Sequence, residues 1–173
     1  KTEKYKDACL KGIDFVLLAQ YANGGWPQYF PLEKNYSSHI TFNSINQYKR
    51  FKSKIKAHSE HISCGIRVNP EYSPVETEMY NPCAVGSRLG EMHEAFADGL
   101  PVGIEGLHFH ALCESGADDL EQVLANFDER FGRLIPHLKW VNMGGGHLMT
   151  RKGYNTEKLI AVLKAFKAKY SHL

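Results

Sequence analysis

From residue 39 onward, short runs of alternating apolar and polar positions are separated by longer stretches with helical spacing. The runs His39–Asn43, Ile62–Asn69, Ile104–Ala111 and Leu138–Met143 predict strands, whose side chains point alternately to two faces. Ser44–Ala57, Ala117–Leu134 and Thr156–Tyr170 repeat apolar residues every three to four positions and predict helices, with a shorter one near Leu89–Ala97. Strands joined by helical crossovers imply a parallel sheet. The stretch 70–90 holds Pro70, Pro74, Pro82 and Gly86 and reads as a long functional loop. Before residue 39 the texture changes. Tyr5, Cys9, Ile13, Val16 and Leu17 predict a helix over Thr2–Gln20, and Asn23–Pro31 is an aromatic, turn-rich loop.

The strand faces carry the functional signal. One face of the second run has Ile62, Cys64, Ile66 and Val68; the other has Ser63, Gly65, Arg67 and Asn69. In the third run, Leu107, Phe109 and Ala111 oppose Gly106, His108 and His110. The first run sets Ile40 and Phe42 against Thr41 and Asn43, and the fourth leads through Asn142 into Gly144-Gly145-Gly146. Each strand therefore has an apolar face for helices and a second face that turns polar toward its C-terminal end. In a parallel barrel that second face points inward and ligands sit at the C-terminal mouth. Asn43, Arg67, Asn69, His108, His110 and the glycines are expected to converge there.

Composition narrows the class without naming a partner. The chain has 173 residues, 43% hydrophobic and 23% charged, with a net charge of +2. These values suit a soluble globular protein and give no strong pull toward nucleic acid or membrane. The basic run Tyr48–Lys56 is the solvated side of a helix whose inner side carries Ile45, Tyr48, Phe51, Lys52 and Ile55. Cys9, Cys64, Cys83 and Cys113 lack CxxC spacing and read as reduced thiols, so a cytoplasmic location is expected.

Consecutive glycines after a strand can turn backbone N–H groups toward one point and cradle an oxyanion, most often a phosphate. A competing reading takes His108, His110 and Cys113 as an HxHxxC ligand set of a metal-dependent hydrolase. A third uses Trp26, Tyr29, Phe30 and Tyr36 to bind acidic polysaccharide. Asp118 and Asp119 open a helix and complement its dipole. Lys164 belongs to a helical pattern and is expected on an outer helix.

Two resemblances accompany these patterns. The strings ISCGIRVNPEYSPVETEMYNPC, GSRLG, GIEGLHFHALCES and WVNMGGGHLMTRKGY resemble carboxynorspermidine decarboxylase over about residues 39–173. That family implies a pyridoxal-phosphate (PLP) enzyme of polyamine synthesis, a homodimer acting on a small polyamine precursor. The implied fold is α/β: a partial parallel (β/α) barrel of the alanine-racemase type, here with an N-terminal helical segment. By this resemblance His110 stacks on the cofactor ring, Arg67 lies beside it, and Gly144, Gly145 and Gly146 hold its phosphate; no metal is implied.

AQYANGGWPQYFP and YSSHITFN instead resemble family-10 pectate lyases over about residues 4–43. In that family an Asp of the calcium-dependent site follows ITFN; Ser44 stands there in this chain. A chimera follows, with a 1–38 lyase-like segment, a 39–173 barrel segment and a junction near His39–Asn43. The decarboxylase family places its cofactor-anchoring lysine upstream of the matching segment, and its EPG-type strand and C-terminal β-domain beyond it. No catalytic residue is therefore assigned, and the chain alone is expected to be inactive.

Overall fold

Four parallel strands in the order β1-β2-β3-β4 form the sheet: β1 His39–Phe42, β2 Ser63–Arg67, β3 Ile104–His108 and β4 Trp140–Asn142. The structure is a computed structural model, described here for residues 38–56 and 61–173. The expected helix Thr2–Gln20 and loop Asn23–Pro31 lie outside the described residues. Three helices accompany the sheet: α1 Ile45–Lys56, α2 Ala117–Phe131 and α3 Thr156–Lys169. All four strands and three long helices thus stand where the hydrophobic pattern puts them, with trimmed ends.

Local chemistry explains the helix starts. Ser44 caps α1, its Oγ accepting the Gln47 N–H at 3.1 Å, while Gln47 Oε1 accepts the Asn43 N–H at 2.7 Å. Asp119 Oδ2 accepts the Gly116 N–H at 2.7 Å at the start of α2, and Asn155 Oδ1 accepts the Lys158 N–H at 2.9 Å at the start of α3. The end of α2 comes three residues before Leu134, because Gly132 follows and Pro136 forces a 3₁₀ turn over Ile135–His137. The helix expected near Leu89–Ala97 is only a 3₁₀ turn, His93–Phe96. Gly90, at φ +92°, takes a left-handed conformation that a helix cannot start through.

The helix-facing side of the sheet is the core. Phe42, Ile66, Leu107 and Phe109 are fully buried; Phe42 packs on Tyr48 and Phe51 of α1 and Phe109 on Phe127 of α2, where Leu120, Val123 and Phe131 are buried as well. The Phe127 ring lies 5.0 Å from Phe109 and 5.6 Å from Phe131, whose other neighbour is Phe96 at 5.9 Å. Burying each such side chain stabilises by about 1.5–3 kcal/mol. On α1, Tyr48 and Phe51 are buried, whereas Ile45, Lys52 and Ile55 are only partly covered. The Lys52 ammonium reaches the Val102 carbonyl at 2.8 Å, beside the Tyr48 hydroxyl at 2.9 Å. Helix α3 packs on α2 through Leu159 and Val162, with Lys158 paired to Glu121 at 2.5 Å and Lys169 and Tyr170 both on Asp128.

Candidate functional site at the C-terminal ends of the strands

The opposite face of the sheet is built in rows. Strand register aligns Gly65, Gly106 and Trp140 in one row, and Arg67, His108 and Asn142 in the next toward the C-terminal ends. The Trp140 indole lies against Gly65 and Gly106, where any Cβ would collide with it. Its Nε1–H donates to Ser63 Oγ at 2.8 Å. The indole forms the floor, and the polar row stands above it.

Below the floor the register slips. Cys64 pairs with Ile104 but Gly65 with Gly106, so Glu105 is an extra residue. The bulge turns Glu105 toward Ser63 Oγ (2.7 Å), Lys139 Nζ (2.6 Å) and His61 Nε2 (3.1 Å). Burial raises the affinity of this carboxyl for a proton, yet the hydrogen bonds from Lys139, Ser63 and His61 outweigh it and hold the pKa at about 2.

The polar row has unspent hydrogen-bonding capacity. Arg67 is half-buried; its Nη2 donates to the His110 carbonyl at 3.4 Å, and its Nε has no protein partner. Burial lowers the Arg67 pKa, with neighbouring Cys83 acting in the other direction. The thiol of Cys83 is itself pushed up to about 11 by burial and donates to the Tyr72 carbonyl at 3.4 Å. His108 Nδ1 is also buried without a partner. Burial lowers the His108 pKa; a hydrogen bond with Asn142 opposes this, and Arg67 and His110 reinforce it. Two unsatisfied polar atoms, on residues paired in register on adjacent strands, mark a place where a ligand's polar groups are needed.

Above that row His110 and the triple glycine meet. The His110 ring is exposed and lies 6.5 Å from the His108 ring, tilted by 35°. Gly144 and Gly146 have φ of +72° and +93°. A Cβ on Gly144 would stand 2.6 Å from the Phe109 carbonyl and 2.8 Å from His110 Nδ1, and one on Gly146 would collide with the Leu112 carbonyl. Gly145 is open, with only His110 Cε1 nearby at 3.9 Å. The Gly144 N–H donates to Asn142 Oδ1 (2.9 Å), the Gly145 N–H to His110 Nδ1 (3.2 Å), and the Gly146 carbonyl accepts the Ser115 N–H (2.8 Å).

Arg67, His110 and Gly144–Gly146 are thus brought to one mouth. Asn43 and Asn69 reach the same end but brace loops. Asn43 donates to the Arg88 carbonyl at 2.8 Å and accepts the Gly90 N–H at 3.1 Å, and Asn69 Oδ1 accepts the Glu71 N–H at 2.8 Å. Glu71, at φ +59°, ties the following loop to His93 at 2.6 Å and Arg130 at 3.0 Å. Burial raises its pKa, but the hydrogen bonds and charges of His93 and Arg130 leave it lowered. Among the described residues, the group of three whose ligating atoms lie within 4.8 Å of one another is Glu71, His93 and Glu94. The HxHxxC set of the competing metal reading is not among the residues whose ligating atoms come together. His108 points into the buried row, whereas Cys113 lies past the strand end and is exposed. Lys164 is exposed on α3 beside Ile160, Leu163 and Lys167, on the helix layer.

Comparison with known proteins gives two relationships. The first 55 residues match the family model described as pectic acid lyase. Carboxyaminopropylagmatine decarboxylase of Synechocystis is 44% identical over 158 residues, which is 91% of this chain and 39% of that protein. The carboxynorspermidine/carboxyspermidine decarboxylase of Campylobacter jejuni is 52% identical over 134 residues, 78% of this chain and 34% of that one. The crystal structure of C. jejuni carboxynorspermidine decarboxylase complexed with norspermidine superposes with a TM-score of 0.68 at 46% identity, covering 80% of this chain and 34% of that one. The chain therefore spans between about a third and two fifths of the relatives it matches. Both resemblances read from the motifs hold, and so does the α/β class with a parallel sheet of the alanine-racemase-type barrel. The lyase match and the 158-residue match share residues, because together they exceed the 173 available. Among the described residues, no helix is long and apolar enough to cross a membrane.

Proposed function

We propose that residues 39–173 are the cofactor-binding part of a PLP-dependent decarboxylase acting on a carboxylated polyamine precursor, and that residues 1–38 are a pectate-lyase-like segment joined to it. The observation that carries this reading is the mouth itself: an exposed imidazole, an unpartnered Arg67 Nε–H and an open Gly145 backbone, adjacent on three strand ends. The relatives' names supply the substrate class, carboxynorspermidine, carboxyspermidine or carboxyaminopropylagmatine.

The residues present fit the cofactor. Gly144–Gly146 would hold the phosphate, with Gly145 allowing the closest approach. His110 would stack on the ring, and Arg67 would donate to it from the row below. When bound, PLP supplies an electron sink for loss of carbon dioxide. The chain's own part is to bind and orient. Trp140 closes the floor, Asn142 steadies both His108 and the Gly144 amide, and Asn43 and Asn69 fix the loops around the mouth. This segment binds and orients the cofactor, in the cytoplasm.

A second reading, binding of acidic polysaccharide by the first segment, rests on the lyase match over residues 1–55. Ser44, at the position of that family's calcium-site Asp, is occupied in capping α1.

The test is a titration of the full chain with PLP, followed by borohydride reduction and intact-mass measurement. Saturable binding that is lost in Arg67→Ala and Gly145→Leu is expected. Adduct on one specific lysine would identify an anchoring residue as well. Absence of saturable binding by the wild-type chain overturns the assignment.

A further inference from the structure

We propose that His110 makes the glycine loop select a phosphate ester of a planar aromatic ring over inorganic phosphate: its imidazole occupies the Gly145 amide until a phosphate displaces it, then offers its face to the ring. The inference rests on the reading of Gly144–Gly146 as a phosphate cradle and assigns His110 a second role within it.

The hydrogen bonds of the loop lead to this. The Gly144 N–H is held by Asn142 Oδ1 at 2.9 Å, and Gly144 is walled in by the Phe109 carbonyl. Gly146 is pinned by its carbonyl to the Ser115 N–H at 2.8 Å and pressed on Leu112. Gly145 differs from both. Its backbone is open, and its N–H is taken by a side chain, His110 Nδ1 at 3.2 Å. That side chain is exposed, while Phe109 and Ala111 on either side are fully buried. The backbone at 110 is thus anchored and the ring remains able to turn.

Accepting at Nδ1 places the proton of the neutral ring on Nε2. A phosphate oxygen is charged and is the stronger acceptor for the same N–H. An arriving phosphate therefore exchanges with the imidazole, and the cost of breaking the resident bond falls on every phosphate alike. Inorganic phosphate recovers none of it. A ligand carrying a flat ring recovers it by stacking on the released imidazole. His108, 6.5 Å away and tilted by 35°, bounds the ring's space from the row below.

The experiment measures dissociation constants of inorganic phosphate and PLP for the full chain as wild type, His110→Ala and His110→Phe, with thermal melts to confirm folding. His110→Ala removes competitor and stacking face together. Inorganic phosphate should bind about two- to tenfold tighter, the worth of one net hydrogen bond. PLP should change little, because that gain offsets the lost aromatic pair, so the preference for PLP over phosphate falls about two- to tenfold. His110→Phe removes only the competitor, so inorganic phosphate and PLP both tighten about two- to tenfold and the preference for PLP is retained. The Gly145 amide resonance should move on adding phosphate to wild type, and should already be displaced in ligand-free His110→Phe. Unchanged or weaker phosphate binding in both variants overturns the exchange. If wild type binds neither ligand, the cradle reading fails and the exchange falls with it.

Discussion

The indole of Trp140 fills the space that a side chain on Gly106 would need, and reaches across to Gly65 on the next strand. Three strands thus share one side chain as the floor of the mouth. Gly106→Ala should destabilise by about 1–3 kcal/mol, because the indole is overpacked from below. Trp140→Leu should also destabilise, by leaving that floor unfilled. In the double variant the new methyl occupies room the indole has vacated. The two changes should therefore couple favourably by about 1–3 kcal/mol in a urea-denaturation cycle. Strict additivity would show that the indole does not close the floor.

The three consecutive glycines are not equivalent. Gly144 and Gly146 need positive φ and have no room for a Cβ, so alanine at either should cost about 1–3 kcal/mol. Gly145 lacks both constraints, and Gly145→Ala should change stability by less than about 1 kcal/mol. Thermal melts of the three single variants give the comparison. Equal losses at all three positions would contradict the left-handed turns at Gly144 and Gly146.

Much of this arrangement is legible in the sequence, because the period of two along each strand sorts apolar from polar faces. It puts Arg67, His108 and His110 on the side that Gly65 and Gly106 share, and the structure places them there. Trp140 escapes this reading. An aromatic at the head of an apolar run looks like core, and only the cross-strand register shows two glycines beneath its ring. The Glu105 bulge left a faint signal. Ile104 and Leu107, three apart, are both buried apolar residues, which strict alternation cannot place on one face without an extra residue between them. The Glu71 clamp left none, since its partners His93 and Arg130 come from distant segments.

Glu105 ties three chain segments together below the floor, and its charge is what they hold. Its pKa of about 2 lies below the ordinary carboxyl value, so its contribution to stability is complete above the unfolded value near 4.5. That contribution fades as pH falls from there toward 2. Lys139 and His61 are exposed, at 67% and 72%, and solvent screens both pairs. The stabilisation at neutral pH is therefore about 1–2 kcal/mol, well under the full linkage value. Glu105→Gln should lose that amount at pH 7 and approach wild type only as pH falls to about 2, by urea midpoints at each pH. A constant difference across that range would assign the loss to packing.

His108 gives a dependence of the same sign at higher pH. Burial disfavours its charged form, Arg67 beside it and His110 above it do the same, and Asn142 only partly offsets them. The folded-state pKa is therefore lowered from the ordinary value of 6.5. Below about pH 6.5 the unfolded chain takes up a proton that the folded chain resists. Stability falls as pH drops through that value, with a slope of at most about 1.4 kcal/mol per pH unit for this one group. His147 is lowered in the same direction, by burial, so the wild-type profile alone does not isolate His108. The difference between wild type and His108→Gln does. The variant should lose less stability than wild type between pH 7.5 and about 5.5, and the His108 ring resonances should titrate below those of an exposed histidine. Parallel profiles, together with ordinary titration of the ring, would mean that His108 is protonated beside Arg67. The mouth would then carry two adjacent cations where the buried row accommodates one.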